Sequence, residues 1–181
     1  MTDYCTFAPG HPLHGPYHDE EYGFPVEDER MLFERLVLEI NQAGLSWELM
    51  LKKRAGFRAA FEGYDIDRVA AYGAAERARL LGDAGIIRNR RKIDAVIENA
   101  RRIKGLRGSH GGFAAWLRAH HPRPKDDWVN LFKKTFNFTG GEITGEFLTS
   151  IGFLSGAHRV DCPAYARIAG LSPPWMQTAG G

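Results

Sequence analysis

From Asp28 onward the apolar positions fall into helical register. Leu32, Phe33, Leu36, Val37 and Ile40 recur at three- and four-residue spacing on one face, and Asp28 before them is a good N-cap. Gly44 ends this helix, and Ser46 caps the next, which carries Trp47, Met50 and Leu51. A further amphipathic stretch runs from Ala74 to Leu81, breaks over Gly82 to Gly85, and resumes towards Ile103. Gly105 to Gly112 reads as a glycine-rich loop. Short helices are expected at Phe113 to Ala119 and at Asp127 to Phe136, with Pro122 to Lys125 between them. Gly140-Gly141 turns the chain into a final helix through Ile151. The first 25 residues, rich in Pro, Gly and His, read as ordered loop. There is no period-2 alternation, repeat or low-complexity tract. The pattern predicts an all-α chain.

With 181 residues and 44% hydrophobic content, the chain suits one well-buried domain. No apolar run approaches the length of a membrane span. Met-Thr-Asp-Tyr-Cys at the start has neither the basic nor the apolar region of a signal peptide, so a cytoplasmic location is expected. The net charge of +2 does not by itself imply a nucleic-acid partner. The distribution says more, because basic residues cluster at Lys52-Lys53-Arg54, at Arg88 to Lys92, and at Arg101 to Arg107. Such a face suits phosphate binding and equally suits solvated helix surfaces.

The two cysteines stand at opposite ends of the chain, each with a histidine nearby: Cys5 with His18, and His158 with Cys162. Two sulfurs and two imidazoles make a complete tetrahedral zinc set, and such a site would clip the two ends together. Buried free thiols are the competing reading, and a disulfide suits a cytosolic chain poorly. The spacing allows His158 and Cys162 to share a helix face. Alternatively, because Pro163 disfavours helical dihedrals at Cys162, they bridge a loop and the start of a helix.

Two further segments carry candidate chemistry. Between the amphipathic stretches, Leu80 to Lys92 contains a short Gly-containing hairpin leading into a helix N-terminus, which with Arg88, Arg90, Arg91 and Lys92 makes a seat for a DNA phosphate or an ordinary helical corner with solvated arginines. In the first helix Glu39 lies at the border of the apolar stripe, either desolvated in a cleft or paired on the surface with Arg35. Leu45 sits at the tip of a tight turn, and Trp47 just beyond it is a base-stacking platform or part of the core.

These segments resemble the bacterial type I 3-methyladenine DNA glycosylases of the helix-hairpin-helix superfamily. The motifs are Pro12-Leu13 with Tyr17-His18-Asp19 and Glu21; Leu38-Glu39 with Gln42-Ala43-Gly44-Leu45-Ser46-Trp47; Leu51-Lys52-Lys53-Arg54; Asp83-Ala84-Gly85-Ile86-Ile87-Arg88 with Arg90; and His158 with Cys162. The resemblance implies a helix-hairpin-helix lobe over about 28–104 and a second lobe, 1–27 with 105–181, clipped by structural zinc on Cys5, His18, His158 and Cys162. It implies that Glu39 contacts the excised base. Tyr17, Trp47, Phe7 and Tyr22 would line the base pocket. Gly44 and Leu45 would probe the gap left by the extruded nucleotide, and Gly85, Ile86, Arg88 and Arg90 would grip the backbone.

The implied activity is monofunctional excision of 3-methyladenine from alkylated double-stranded DNA by a monomer. Relatives with lyase activity carry a Lys where this chain has Asn89, and an activating Asp where it has the Gly105 to Gly112 stretch. The chain departs from the family pattern at Phe7, His14, Tyr22, Gly145 and Glu146, several near the expected pocket. Two alternatives follow from those departures: a non-catalytic lesion binder, or a glycosylase for another alkylated purine such as 3-methylguanine.

Overall fold

The computed structural model describes residues 3–177. It is all-helical, with no strand among the described residues. The helices are α1 (Tyr4–Phe7), α2 (His14–Glu20), α3 (Glu29–Gln42), α4 (Trp47–Ala60), α5 (Ile66–Ala70), α6 (Ala74–Leu81), α7 (Arg90–His110), α8 (Phe113–His120), α9 (Lys125–Thr135), α10 (Gly141–Ser150) and α11 (Pro163–Gly170). No described helix is long and apolar enough to cross a membrane.

Helix α3 is the axis of the molecule. Asp28 caps it by accepting from Met31 N at 2.9 Å, and every residue from Leu32 to Asn41 is buried. A helix buried on all sides must also bury its polar residues, and these are all partnered except one. Arg35 donates to Glu21 and to the Ser150 carbonyl, while Glu34 accepts from Arg54 and Arg58 of α4. Asn41 Nδ2 returns to the Val37 carbonyl at 2.8 Å. The exception is Glu39.

Helix α3 stops where Gly44 takes φ +79°, a left-handed conformation that glycine adopts without strain. Ser46 then caps α4 through Leu49 N, as expected. Helix α4 presses on the hairpin before α7 so closely that a Cβ on Gly56 would lie 2.3 Å from the Gly85 carbonyl oxygen. That contact requires glycine at position 56 for packing rather than for backbone conformation.

Two expectations are corrected. The first 25 residues contain α1 and α2, not only loop. Neither helix has a side-chain cap at its N-cap position. Instead His11 Nδ1 accepts from Leu13 N and His14 N, each at 3.2 Å, an imidazole doing what Ser or Asp usually does. Likewise Gly105 and Gly108 lie inside α7, which runs to His110 and ends at Gly111 with φ +87°. Helical glycine costs roughly 1 kcal/mol against alanine. Ile103 and Leu106 hold this stretch helical by burying its inner face.

Candidate base-binding cleft and metal cluster

Helices α2, α3, α4 and α10 converge on a cleft of about 370 Å³ walled by Tyr4, Tyr17, Tyr22, Glu39, Trp47 and Glu146. Tyr17 is the centre of its aromatic wall. Its ring stacks on Tyr22 with centroids 5.7 Å apart and meets Trp47 at 5.1 Å. The Arg35 guanidinium lies 5.1 Å over the same ring, on a residue that is 1% exposed. The Tyr17 hydroxyl and Trp47 Nε1 are buried without a hydrogen-bond partner among the described residues. Buried polar atoms are normally satisfied, so two orphans lining one cleft point to a ligand that would pair with them.

Glu39 is 5% exposed and lines the same cleft. Its expected alternative partner, Arg35, is engaged by Glu21 instead. Burial, reinforced by the nearby charge of Glu146 and opposed by Arg35, pushes the Glu39 carboxyl up to about 8. A carboxylate desolvated without a counter-ion is costly and marks functional sites more often than structural ones. A larger depression of about 800 Å³, lined by Arg30, Glu34, Arg54 and Arg58, differs in this respect. Its charges pair with one another or with Glu21 and Asp65.

Not every expected pocket residue is in the cleft. Phe7 is 45% exposed and packs against His11 and His14, outside the cleft lining. Tyr4 takes a place in the wall instead, its hydroxyl 3.1 Å from His14 Nδ1. A tyrosine beside a cysteine in an apparent loop gives no signal in the sequence.

The turn after α3 carries Gly44 and Leu45 to the surface, where Leu45 is 37% exposed. Beneath the turn lies a residue that the sequence places with Arg88, Arg90 and Arg91 in the phosphate seat and that the fold turns inward instead. Lys92, 5% exposed, donates from Nζ to the Asn41 carbonyl at 2.8 Å and the Ala43 carbonyl at 2.7 Å. It satisfies carbonyls left open at the α3 C-terminus and braces the turn.

The basic clusters separate sharply. Lys52 pairs with Glu48, Lys53 donates to the Ala84 carbonyl, and Arg54 joins the Glu21–Glu34 network. Arg101, Arg102, Lys104 and Arg107 pair with Glu98, Asp67 and Glu29. Arg88, Arg90 and Arg91 are exposed and make no ion pair among the described residues. In the hairpin itself Gly85 N donates to Asp83 Oδ1 and Ile86 N to the Asp83 carbonyl, and Ile86 is 2% exposed. Those two N–H groups are therefore spent, whereas the N–H groups of Ala84, Ile87 and Arg88 have no acceptor among the described residues.

At the opposite side of Tyr22 the buried residues Cys5, His18, His158 and Cys162 bring their ligand atoms within 4.8 Å of one another. Cys5 Sγ and Cys162 Sγ each lie 3.6 Å from His158 Nδ1. His18 Nε2 is 3.2 Å from His158 Nδ1 and 3.8 Å from Cys162 Sγ. Sulfur and nitrogen ligands on a tetrahedral zinc stand about 3.3–3.8 Å apart, so the donor set fits such an ion. The outer contacts agree. His18 Nδ1 faces Asp19 Oδ1 at 2.7 Å, and His158 Nε2 faces the Tyr22 carbonyl at 2.7 Å. Each imidazole thus spends its N–H outward and turns a lone pair inward, as metal-bound histidines do. His158 and Cys162 do not share a helix; Cys162 is the N-cap of α11, with Pro163 at the first helical position.

Comparison with known proteins agrees with this geometry. The methyladenine glycosylase family matches residues 7–130. The chain is 35% identical to DNA-3-methyladenine glycosylase 1 of Escherichia coli (strain K12), over 89% of this chain and 96% of that one. It is 30% identical to the DNA-3-methyladenine glycosylase of Haemophilus influenzae, over 90% and 98%. The fold is similar to that of 3-methyladenine DNA glycosylase I from Staphylococcus aureus, a structure concerned with 3-methyladenine recognition. The TM-score there is 0.81 at 29% identity, covering 90% of this chain and 96% of that chain. By fold, motif and extent of similarity, this chain belongs to the methyladenine glycosylase family.

Proposed function

We propose that the chain excises 3-methyladenine from alkylated double-stranded DNA by hydrolysing the N-glycosidic bond, leaving an abasic site. One observation carries the reading: an aromatic cleft with two orphaned donors and a desolvated carboxyl, Glu39, at its inner end. A base within a duplex is out of reach, so its nucleotide must be turned out into a pocket. Leu45, held on the turn braced by Lys92, fills the gap left behind and offsets part of the unstacking cost. Arg88 and Arg90, with the open N–H groups of Ile87 and Arg88, take the phosphates. The hairpin residues Gly85 and Ile86 shape that seat through their packing.

Methylation at N3 makes adenine cationic while it is attached to the sugar. Tyr17, Tyr22 and Trp47 offer ring faces to that cation. Glu39, protonated in the empty cleft near neutral pH, releases its proton when a positive base arrives and becomes its counter-charge. The base then leaves as a neutral molecule. Asn89 caps α7 by accepting from Lys92 N, so this hairpin position offers no amine for a lyase step.

Cys5, His18, His158 and Cys162 would hold one zinc ion, which supplies a structural cross-link and no open position for water. The cleft then lies between two lobes, 28–104 and 1–27 with 105–181, since its walls come from both. The same reading places the protein in the cytoplasm and has it acting as a monomer. The test is chromatography of bases freed from methylated duplex DNA. Release of 3-methyladenine by the wild type, with both release and lesion affinity reduced in Glu39→Gln, supports enzymatic excision. Binding without release supports the lesion-binder reading, and release of 3-methylguanine alone reassigns the substrate.

A further inference from the structure

The cleft contains a second carboxylate, and its position differs from that of Glu39. Glu146, on α10, is exposed, whereas Glu39 is 5% exposed. Its one partner among the described residues is the Tyr22 hydroxyl, which donates to Oε2 at 3.3 Å. No cation among the described residues pairs with it. Lys125 comes near, yet its aliphatic chain is spent covering Gly145: a Cβ there would stand 2.7 Å from Lys125 Cε.

Glu146 also belongs to two spaces at once. It lines the base cleft, and it lines a groove that runs past Gln42, Gly44, Lys125 and Gly141. The groove begins at the turn assigned to probing the DNA stack. A nucleotide swung from beside Leu45 into the cleft must pass Gln42 and Glu146, which the two spaces share. Its base would rest against Glu39, and its deoxyribose would stop at the mouth.

We propose that Glu146 is a catalytic residue facing C1′ of the extruded nucleotide, there to stabilise positive charge on the sugar. The assignment rests on the excision reading above. As the C1′–N9 bond breaks, its electron pair goes to the base, which departs neutral, and the positive charge moves to C1′ and the ring oxygen. Glu39 loses its electrostatic partner at that moment, and Glu146 gains one. Water then adds its oxygen to C1′, its proton passes to Glu146, and from there it goes to solvent. Charge placed where it develops in the transition state, rather than where it starts, accelerates the step. An acid at this point supplies the carboxylate that the Gly105 to Gly112 stretch lacks. The orphaned Tyr17 hydroxyl and Trp47 Nε1, deeper in the same cleft, keep the base aligned meanwhile.

The test compares wild type with Glu146→Gln, a surface change expected to leave melting unchanged at pH 5, where Glu39 keeps its proton with or without the neighbouring charge. Duplexes carrying a cationic pyrrolidine or a neutral tetrahydrofuran in place of one deoxyribose report sugar-charge recognition without turnover. Wild type should prefer the pyrrolidine by about tenfold or more, and Glu146→Gln by less than about twofold. Single-turnover release of 3-methyladenine should fall at least about tenfold in the variant, with Kd for free 3-methyladenine held within about twofold. An unchanged pyrrolidine preference, or equal losses in release rate and free-base affinity, overturns the Glu146 assignment alone. A wild type that frees no 3-methyladenine overturns the excision reading and this inference together.

Discussion

Replacing Glu39 by Gln should make the protein more stable in base while it loses activity. The carboxyl is pushed from 4.5 up to about 8 in the folded chain, chiefly by burial. A group raised in this way contributes its full stability only below the unfolded value of 4.5, and that contribution is lost as pH climbs through 8. Over the whole range the loss is about 5 kcal/mol, from 1.36 kcal/mol for each pH unit of displacement. Integrated to particular conditions, burying Glu39 costs the fold about 1 kcal/mol at pH 5 and about 3 at pH 7, where folding must hold a proton the unfolded chain has lost, and nearly the full ~5 at pH 9. Glutamine has the same shape and no charge to desolvate. For a chain of this size each kcal/mol moves Tm by about 2–4 °C. Scanning calorimetry from pH 5 to pH 9 should therefore show Glu39→Gln melting a few degrees above wild type at pH 5 and about 10–20 °C above it at pH 9. A difference in Tm that stays flat with pH would refute the reasoning. It would mean that Glu39 is solvated or paired, with no ionisation penalty stored in the cleft.

Other expectations follow from the same geometry. Lys92→Met, which keeps the aliphatic stem but removes the amine, strands the Asn41 and Ala43 carbonyls; it should cost about 1–3 kcal/mol in urea unfolding. A loss below about 0.5 kcal/mol would show that the turn does not depend on it. Arg88→Ala and Arg90→Ala should each reduce the slope of log K against log salt by about 0.9 for duplex DNA, while Arg107→Ala, whose guanidinium is held by Glu29 and Asp67, leaves that slope unchanged. Equal effects at all three positions would contradict the division of basic residues drawn here. Purified protein should carry one zinc per chain by elemental analysis. Stripping it with a chelator should lower Tm by about 10 °C or more, because the two ends then keep only contacts such as Arg159 with Asp3 and Thr6 and Arg167 with the Asp19 carbonyl. A metal-free sample with the same Tm would contradict a structural ion.

Helix spacing and caps exposed α3, α4 and α6 in the sequence, because Asp28 and Ser46 perform there the local chemistry that defines a helix start. Where local chemistry was overridden, the reading failed. Gly105 and Gly108 are poor helix residues held in α7 by the burial of Ile103 and Leu106. His11 caps α2 with a side chain seldom used for the purpose. The helix Ile66–Ala70 and the turn before it, Glu62–Tyr64, gave too short a pattern to be read. The cleft shows a similar division. Tyr17, Tyr22, Glu39 and Trp47 line one cleft, but periodicity alone left Glu39 open between pocket and ion pair. Burial of Arg35 against Glu21 decides that question, and it is a tertiary fact. Phe7 falls outside the cleft because α1 turns it towards His11 and His14. Glu146 was legible as a departure from the family, but its place at the mouth came only from the fold.

The central claim is that the damaged base enters the cleft of Tyr17, Tyr22, Trp47 and Glu39. Titration of 15N-labelled protein with free 3-methyladenine, followed through the four tryptophan indole N–H resonances, tests it most directly. The Trp47 signal, assigned by its loss in Trp47→Phe, should shift to saturation while those of Trp116 and Trp128 stay in place. Saturable binding that leaves Trp47 still and moves Trp116 or Trp128, or no binding at all, would contradict the account.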